Sequence, residues 1–213
     1  SYLSILIVAT GLFLAWSGPM EGVDLREALF TVSSAITTTG FPSDPMGEWS
    51  AALPVLLLLL VAIGPMTGSA GGGFQILRLR ILLNSATREM VRQLHPRVVA
   101  RVRLGGRVAE ESTVRQATVV QFVFVAILFV TALAVATLGL DMATALSASV
   151  HAVSTAGPVR ALDGSILDPS GWPRPTRLAL LPAMVSGRLF LYPAAVAGGT
   201  LIIELGNQLR LRR

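Results

Sequence analysis

Residues 119–138 form a run of 20 that is broken only by Gln121, Thr131 and Thr137. At 1.5 Å per helical residue such a run is about 30 Å long, the thickness of a bilayer's hydrocarbon core. A chain that carries it either places the segment in lipid or buries it inside a large core. Of the 213 residues, 53% are hydrophobic and 14% charged, against about 25% charged in an average soluble domain. With a mean hydropathy of +0.68, lipid is the consistent solvent.

Residues 178–205 are also long enough to cross, with room for tilt, yet they include Arg188, Pro182, Pro193 and Gly198–Gly199. That is the composition of a bent or broken helix lining something polar. Residues 51–63 are apolar but too short to cross alone, and they run into a glycine-rich stretch, 64–73, before apolar character resumes over 74–83. Non-helical backbone at membrane depth survives only where protein buries it or water fills a cavity beside it, so this break implies a permeation path. Residues 2–16 are apolar as well, without the basic flank and cleavage site of a signal peptide, and read as a span entered mid-helix.

All 17 basic residues are arginine. Arg78, Arg80, Arg88, Arg92, Arg97, Arg101, Arg103, Arg107 and Arg115 share one connector, and Arg210, Arg212 and Arg213 close the chain. Most acids (Glu21, Asp24, Glu27, Asp44, Glu48, Asp141, Asp163 and Asp168) lie in the other connections. The excess of arginine on one side predicts that residues near 84–113 and the C-terminus are cytoplasmic, with two crossings between them, 119–138 and 178–205. Topology therefore explains the net charge of +5 and the pI of 11.2, and with no interleaved aromatics in the connector nucleic acid is not an expected partner. The absence of cysteine excludes disulfides and thiolate chemistry. His95 and His151 stand apart from each other and from most of the acids, so no nucleophile–base constellation assembles. No enzyme and no cofactor are expected.

The most informative pattern is internal. Residues 23–41 align with 140–158 at an offset of 117, with identities at Asp24/Asp141, Ala28/Ala145, Leu29/Leu146, Ala35/Ala152, Thr38/Thr155 and Gly40/Gly157. Trp49 and Gly64 match Trp172 and Gly187 at an offset of 123. Each copy reads as an outer span, a short helix begun by an aspartate cap, a Thr-X-Gly stretch, an extracellular loop and a broken span. The short helix lies between crossings that open on the same side, so it enters and leaves from one face as a re-entrant loop. Its C-terminal dipole then points into the membrane and favours a cation. Extended Thr37–Thr39 and Ser154–Ala156 can turn carbonyl oxygens inward to replace an ion's water shell, with glycine reaching backbone angles closed to other residues. Taken alone, Thr37-Thr38-Thr39-Gly40 reads sooner as a polar helix cap; recurrence in the second copy favours the ion site. The glycine run 68–73 follows an apolar helix and lacks a Gly-Lys-Ser/Thr ending, so it is no phosphate loop. Close helix packing through small residues is its other reading.

Ser34-Ala-Ile-Thr-Thr-Thr-Gly-Phe41, Gly68-Ser-Ala-Gly-Gly-Gly73 before a basic helix, His95-Pro96, Gly157-Pro158 and Gly187-Arg188-Leu189 resemble, in that order, the C-terminal half of the Trk/Ktr/HKT potassium transporters, and within them the TrkH/KtrB subunit. The resemblance covers nearly the whole chain. It implies an all-α, multi-pass membrane protein of two M1-P-M2 potassium-channel-like repeats: repeat three over 1–84, an Arg-rich cytoplasmic connector over 85–113, and repeat four over 114–213. It implies filter walls at Thr37, Thr38, Thr39 and Gly40 and at Ser154, Thr155, Ala156 and Gly157, with potassium as the transported ion. A gating loop at Gly64, Gly68, Ser69, Gly71, Gly72 and Gly73 would lie beneath the filter, and Arg188 would be a pore-facing charge. Also implied are two further repeats preceding these, a homodimer, surrounding membrane lipid, the inner membrane, and a cytoplasmic nucleotide-binding regulatory ring of TrkA/KtrA type. The chain departs from the family pattern at Gln75, where a lysine is usual, at Phe190, where an acid is usual, and at Pro65–Met66. A non-conducting regulatory or assembly role, and a different broken-helix ion transporter, are the alternative classes.

Overall fold

The computed structural model describes residues 2–17, 24–41, 50, 52–66, 68–69, 71–95, 103–104 and 107–188. The elements are α1 (Tyr2–Ser17), α2 (Leu25–Ile36), α3 (Ala52–Ile63), α4 (Ile76–Leu94), β1 (Arg103–Leu104), β2 (Arg107–Val108), α5 (Glu111–Thr137), α6 (Met142–Ser154) and α7 (Arg174–Arg188). The two short strands pair antiparallel with Leu104 opposite Arg107, and a single bridge joins Arg160 to Ile166. Everything else described is helix, turn or loop, so the class is all-α.

Two helical triplets make the core. Phe13 of α1, Val32 and Ile36 of α2, and Leu53 and Leu57 of α3 form one buried cluster, which Ile76 and Val150 also join. Phe124 and Val135 of α5, Ala148 and Val153 of α6, and Leu180 and Ala183 of α7 form the other. Contact of α3 with α6 brings the triplets together. Besides Val150, His151 and Val153, α6 buries the small side chains Ala145, Ser147, Ala148, Ser149, Ala152 and Ser154, which lets neighbouring backbones approach.

α5 is, among the described residues, the one helix long and apolar enough to cross a membrane; α1 and α3 are shorter apolar helices. It packs through Val120, Phe124 and Val135 while exposing Val130, Leu133 and Phe122, the last 75% exposed. Such a stripe is costly in water and at home in lipid.

Helix α3 stops at Ile63 because Gly64 takes φ +70° and Pro65 follows. The chain recrosses its own entry point: Phe74 N–H donates to the Ala62 carbonyl at 2.9 Å and Ile76 N–H to that of Pro65 at 3.3 Å. Helix resumes at Ile76 rather than at Phe74, since Gln75 sits at φ +62°, outside helical space. It also runs beyond the apolar segment 74–83 to Leu94, through residues whose charges pair along and beside it: Arg88 and Arg92 with Glu89, and Arg88 with Glu111. The region 85–113 thus opens as a continuation of α4. α7 contains Pro182 and is described as far as Arg188. Phe190, Pro193, Gly198, Gly199, Glu204 and the C-terminal arginines lie outside the described residues, as do Glu21, Asp44, Glu48, Trp49, Pro96, Arg97 and Arg101.

Candidate pore site

The site is built on the C-terminal ends of α2 and α6. Both helices start from an aspartate in extended conformation, but only one is capped: Thr144 N–H donates to Asp141 Oδ2 at 3.0 Å, whereas Asp24 makes no side-chain capping bond. Hydrogen bonds from the Thr144 side chain and backbone hold the Asp141 carboxyl below the ordinary carboxylate range.

The two helices end alike. Thr38 N–H donates to the Ala35 carbonyl at 3.0 Å and Thr39 N–H to that of Ser34 at 3.0 Å. At the same offset of 117, Thr155 N–H donates to Ala152 at 3.1 Å and Ala156 N–H to His151 at 3.0 Å. These pairs of i−3 and i−5 bonds are Schellman turns, which satisfy carbonyls that a helix end would leave open. Such a turn needs a left-handed residue, and here it is threonine twice, at φ +57° for Thr38 and +50° for Thr155. A β-branched residue at positive φ is an outlier whose strain must be held by its surroundings. The same geometry corrects the expectation of extended backbone throughout: Thr37 is right-handed helical, with φ −80° and ψ −3°, and Ser154 is the last residue of α6. A Schellman turn keeps the residue before the left-handed one in the helix.

Beyond the turns the two segments meet. A Cβ built on Gly40, itself at φ +74°, would lie 2.5 Å from Cα and N of Gly157. The loop between α3 and α4 comes against the same ends from another side. A Cβ on Gly72 would be 2.5 Å from the Ser154 carbonyl oxygen, and one on Gly71 would be 2.6 Å from Thr38 Oγ1. The neck of that loop closes through Gly64 on the Gly72 carbonyl and Gly73 on that of Ala62. Further along, Gly187 of α7 packs directly on the Val153 carbonyl.

The structure therefore brings Thr38, Gly40, Ser154, Gly157, Gly64, Gly71, Gly72 and Gly73 into one neighbourhood. Gly68 and Ser69 stand exposed at the loop's far side, with nothing within 4 Å of a Cβ at Gly68. Thr37 Oγ1 turns back to the Ser33 carbonyl at 2.6 Å and to Thr39 Oγ1 at 2.8 Å. Ala156 packs against the first core cluster. Arg188 is exposed at the end of α7.

The groups on offer are oxygens. Ser154 Oγ and Thr155 Oγ1 are buried without a hydrogen-bond partner among the described residues, and so is Oε1 of Gln75. Behind the two walls a cavity of about 20 Å³, room for a single water, is lined by Thr31, Ser34, His151 and Arg160. His151 is buried there, with Nδ1 2.8 Å from the Ser147 carbonyl oxygen. No cluster of three His, Asp or Glu side chains occurs among the described residues. Converging helix C-termini, carbonyls and hydroxyls suit a weakly held, partly dehydrated cation. Two contributors had no site role assigned from sequence. One is Gln75, noted there only as a departure from the family's lysine, and here 2% exposed at positive φ. The other is Gln121, whose Nε2 donates 2.8 Å to the Phe74 carbonyl and pins the loop's exit to α5. Gln121 did leave a signal, as the one amide in the apolar run.

The family model described as TrkH, cation transport protein, matches residues 16–201. The chain is 32% identical over 197 residues to the Trk system potassium uptake protein TrkH of Halomonas elongata, a match covering 92% of this chain and 40% of that protein. With TrkH of Escherichia coli K12 it shares 33% identity over 134 residues, 63% of this chain and 28% of that protein. The crystal structure of the potassium transporter TrkH from Vibrio parahaemolyticus superposes with a TM-score of 0.81 at 26% identity, covering 92% of this chain and 42% of that one. The chain thus spans less than half the length of these relatives.

Proposed function

The chain belongs to the TrkH family of cation transport proteins, and from that premise we propose that it forms part of a gated potassium uptake path across the inner membrane. The observation that carries this reading is the meeting of Gly40 with Gly157, each just past an identical Schellman turn. Two helix C-termini aim at one place, and the carbonyls of Thr37, Thr38, Thr39 and Gly40 and of Ser154, Thr155, Ala156 and Gly157 form two walls of a potassium filter there. Two walls do not enclose an ion, so two further ones complete the ring. Its relatives are named as potassium uptake proteins, which supports a transporter rather than an enzyme.

The loop bearing Gly64, Gly68, Ser69, Gly71, Gly72 and Gly73 is the gate in series with the filter. The closeness of Gly72 to Ser154 and of Gly71 to Thr38 supports this, since small residues let a strand of backbone lie against the filter's base and withdraw. Arg188 follows the Gly187 contact with Val153, next to the base of the second wall, and acts as a fixed charge that slows departing cations. The Arg-rich region and the C-terminus face the cytoplasm, where a nucleotide-binding ring docks on a homodimer.

Uptake of rubidium and sodium by the intact protein in proteoliposomes tests the filter. Gly40→Ser and Gly157→Ser each lower discrimination between the two ions, because a side chain disturbs the angles that aim the carbonyls. An unchanged ratio in both variants overturns the filter assignment.

A further inference from the structure

Away from the pore, α4 and α5 run side by side between two ties. One is the ion pair of Arg88 with Glu111, and the other is the hydrogen bond from Gln121 to the Phe74 carbonyl. Between them lies a cleft of about 270 Å³. α4 lines it with Leu77, Arg78 and Ile81, and α5 with Thr113, Gln116, Ala117 and Val120, so both sides carry polar and apolar groups. Arg78 is half-buried and, among the described residues, makes neither an ion pair nor a hydrogen bond. Arg88 and Arg92 on the same helix both have carboxylate partners. A guanidinium withdrawn from water without an acceptor is unfavourable, and its planar fork matches a phosphate.

The cleft's position narrows the ligand. Thr113 and Gln116 are exposed one helical turn apart at the start of α5, just before Val119 opens the apolar run. Thr113 and Gln116 therefore stand where the spanning helix leaves the hydrocarbon, and Leu77, exposed on α4, lies toward the apolar run. We propose that this cleft binds an anionic phospholipid, its headgroup phosphate held by Arg78 with Thr113 and Gln116 lining the same cleft, and an acyl chain laid along the exposed Leu77. Basic pockets between helices at this level suit such headgroups. The site rests on the membrane setting of α5 and is independent of the filter assignment.

Native mass spectrometry of the intact protein in detergent tests it, by titration with phosphatidylglycerol and phosphatidylcholine of identical acyl chains. The wild type binds phosphatidylglycerol in preference, and Arg78→Gln weakens that binding by about ten-fold, the scale of one lost charge-assisted hydrogen bond. Arg80→Gln, an exposed neighbour that does not line the cleft, leaves it unchanged. Gln116→Glu, at an exposed position that folding tolerates, sets a carboxylate in the cleft that Arg78 lines and removes the preference without removing the arginine. Three results overturn the site: equal binding in the Arg78 and Arg80 variants, a preference retained by Gln116→Glu, or no preference in the wild type. Displacement of the lipid by millimolar inorganic phosphate overturns the lipid source in favour of free phosphate.

Discussion

Gly40→Ala is the sharpest probe of the close approach on which the pore reading depends. The new methyl group would sit 2.5 Å from two backbone atoms of Gly157, 0.9 Å less than the 3.4 Å at which contact becomes ordinary. Neither atom belongs to a side chain that can swing away, so one wall must shift. Overpacking of this kind costs about 1–3 kcal/mol. Alanine at φ +74° adds about 1 kcal/mol of backbone strain, for a destabilisation of roughly 2–4 kcal/mol. Gly68→Ala isolates the strain: φ there is +95° with nothing within 4 Å, so the loss is about 1 kcal/mol. Gly11→Ala isolates the opposite case, a glycine inside α1 with open space around it, and stabilises by roughly 0.5–1 kcal/mol. Denaturant unfolding of the intact protein in nanodiscs should rank the three as Gly11→Ala above Gly68→Ala above Gly40→Ala. If Gly40→Ala unfolds no more easily than Gly68→Ala, the two segments do not touch.

Gln121→Leu strands the part-buried Phe74 carbonyl at a cost of about 1 kcal/mol and loosens the loop's anchor, so ungated rubidium flux rises at equal membrane abundance; unaltered flux and unfolding would remove Gln121 from the gate. Asp141→Ala removes the cap of α6 and lowers the melting temperature at neutral pH. Because the Asp141 carboxyl is held below its ordinary range, its contribution is full above that range and disappears as pH falls through the lowered folded value, so the gap between wild type and variant narrows in acid. A gap that widens in acid contradicts that sign. Arg188→Gln keeps hydrogen-bond donors and removes charge, and should raise cation flux with no change in abundance; equal flux in variant and wild type takes Arg188 out of the path.

The helices were legible where composition left no choice. The apolar run 119–138 is the body of α5, and Gly64–Pro65 ends α3 because neither residue continues a helix there. Asp141 was legible as a cap, while Asp24, in the same slot, lacks the bond that the pattern implies. Positive φ at Thr38, Gln75 and Thr155 was not readable, because these side chains disfavour it and only the completed turn or loop imposes it. The length of α4 was hidden by reading its charged half as connector, whereas Glu89 and Glu111 neutralise Arg88 and Arg92 along it. The β1–β2 pairing did have a signal, since Gly105–Gly106 separates the two strands in sequence and Gly-Gly favours a hairpin. At the site, the repeat named the residues, but the contact of Gly72 with Ser154 joins segments 82 positions apart and has no local signature.

In the proposed filter a potassium-like ion sits between the two walls. Crystals of the intact protein grown in rubidium, measured at the rubidium absorption edge, test this most directly. Anomalous peaks are expected on the axis flanked by Gly40 and Gly157, within coordinating reach of the carbonyl oxygens of residues 38–40 and 155–157, and vanish when sodium replaces rubidium. Rubidium bound elsewhere in the chain, or an axis without anomalous density at full rubidium, would contradict it.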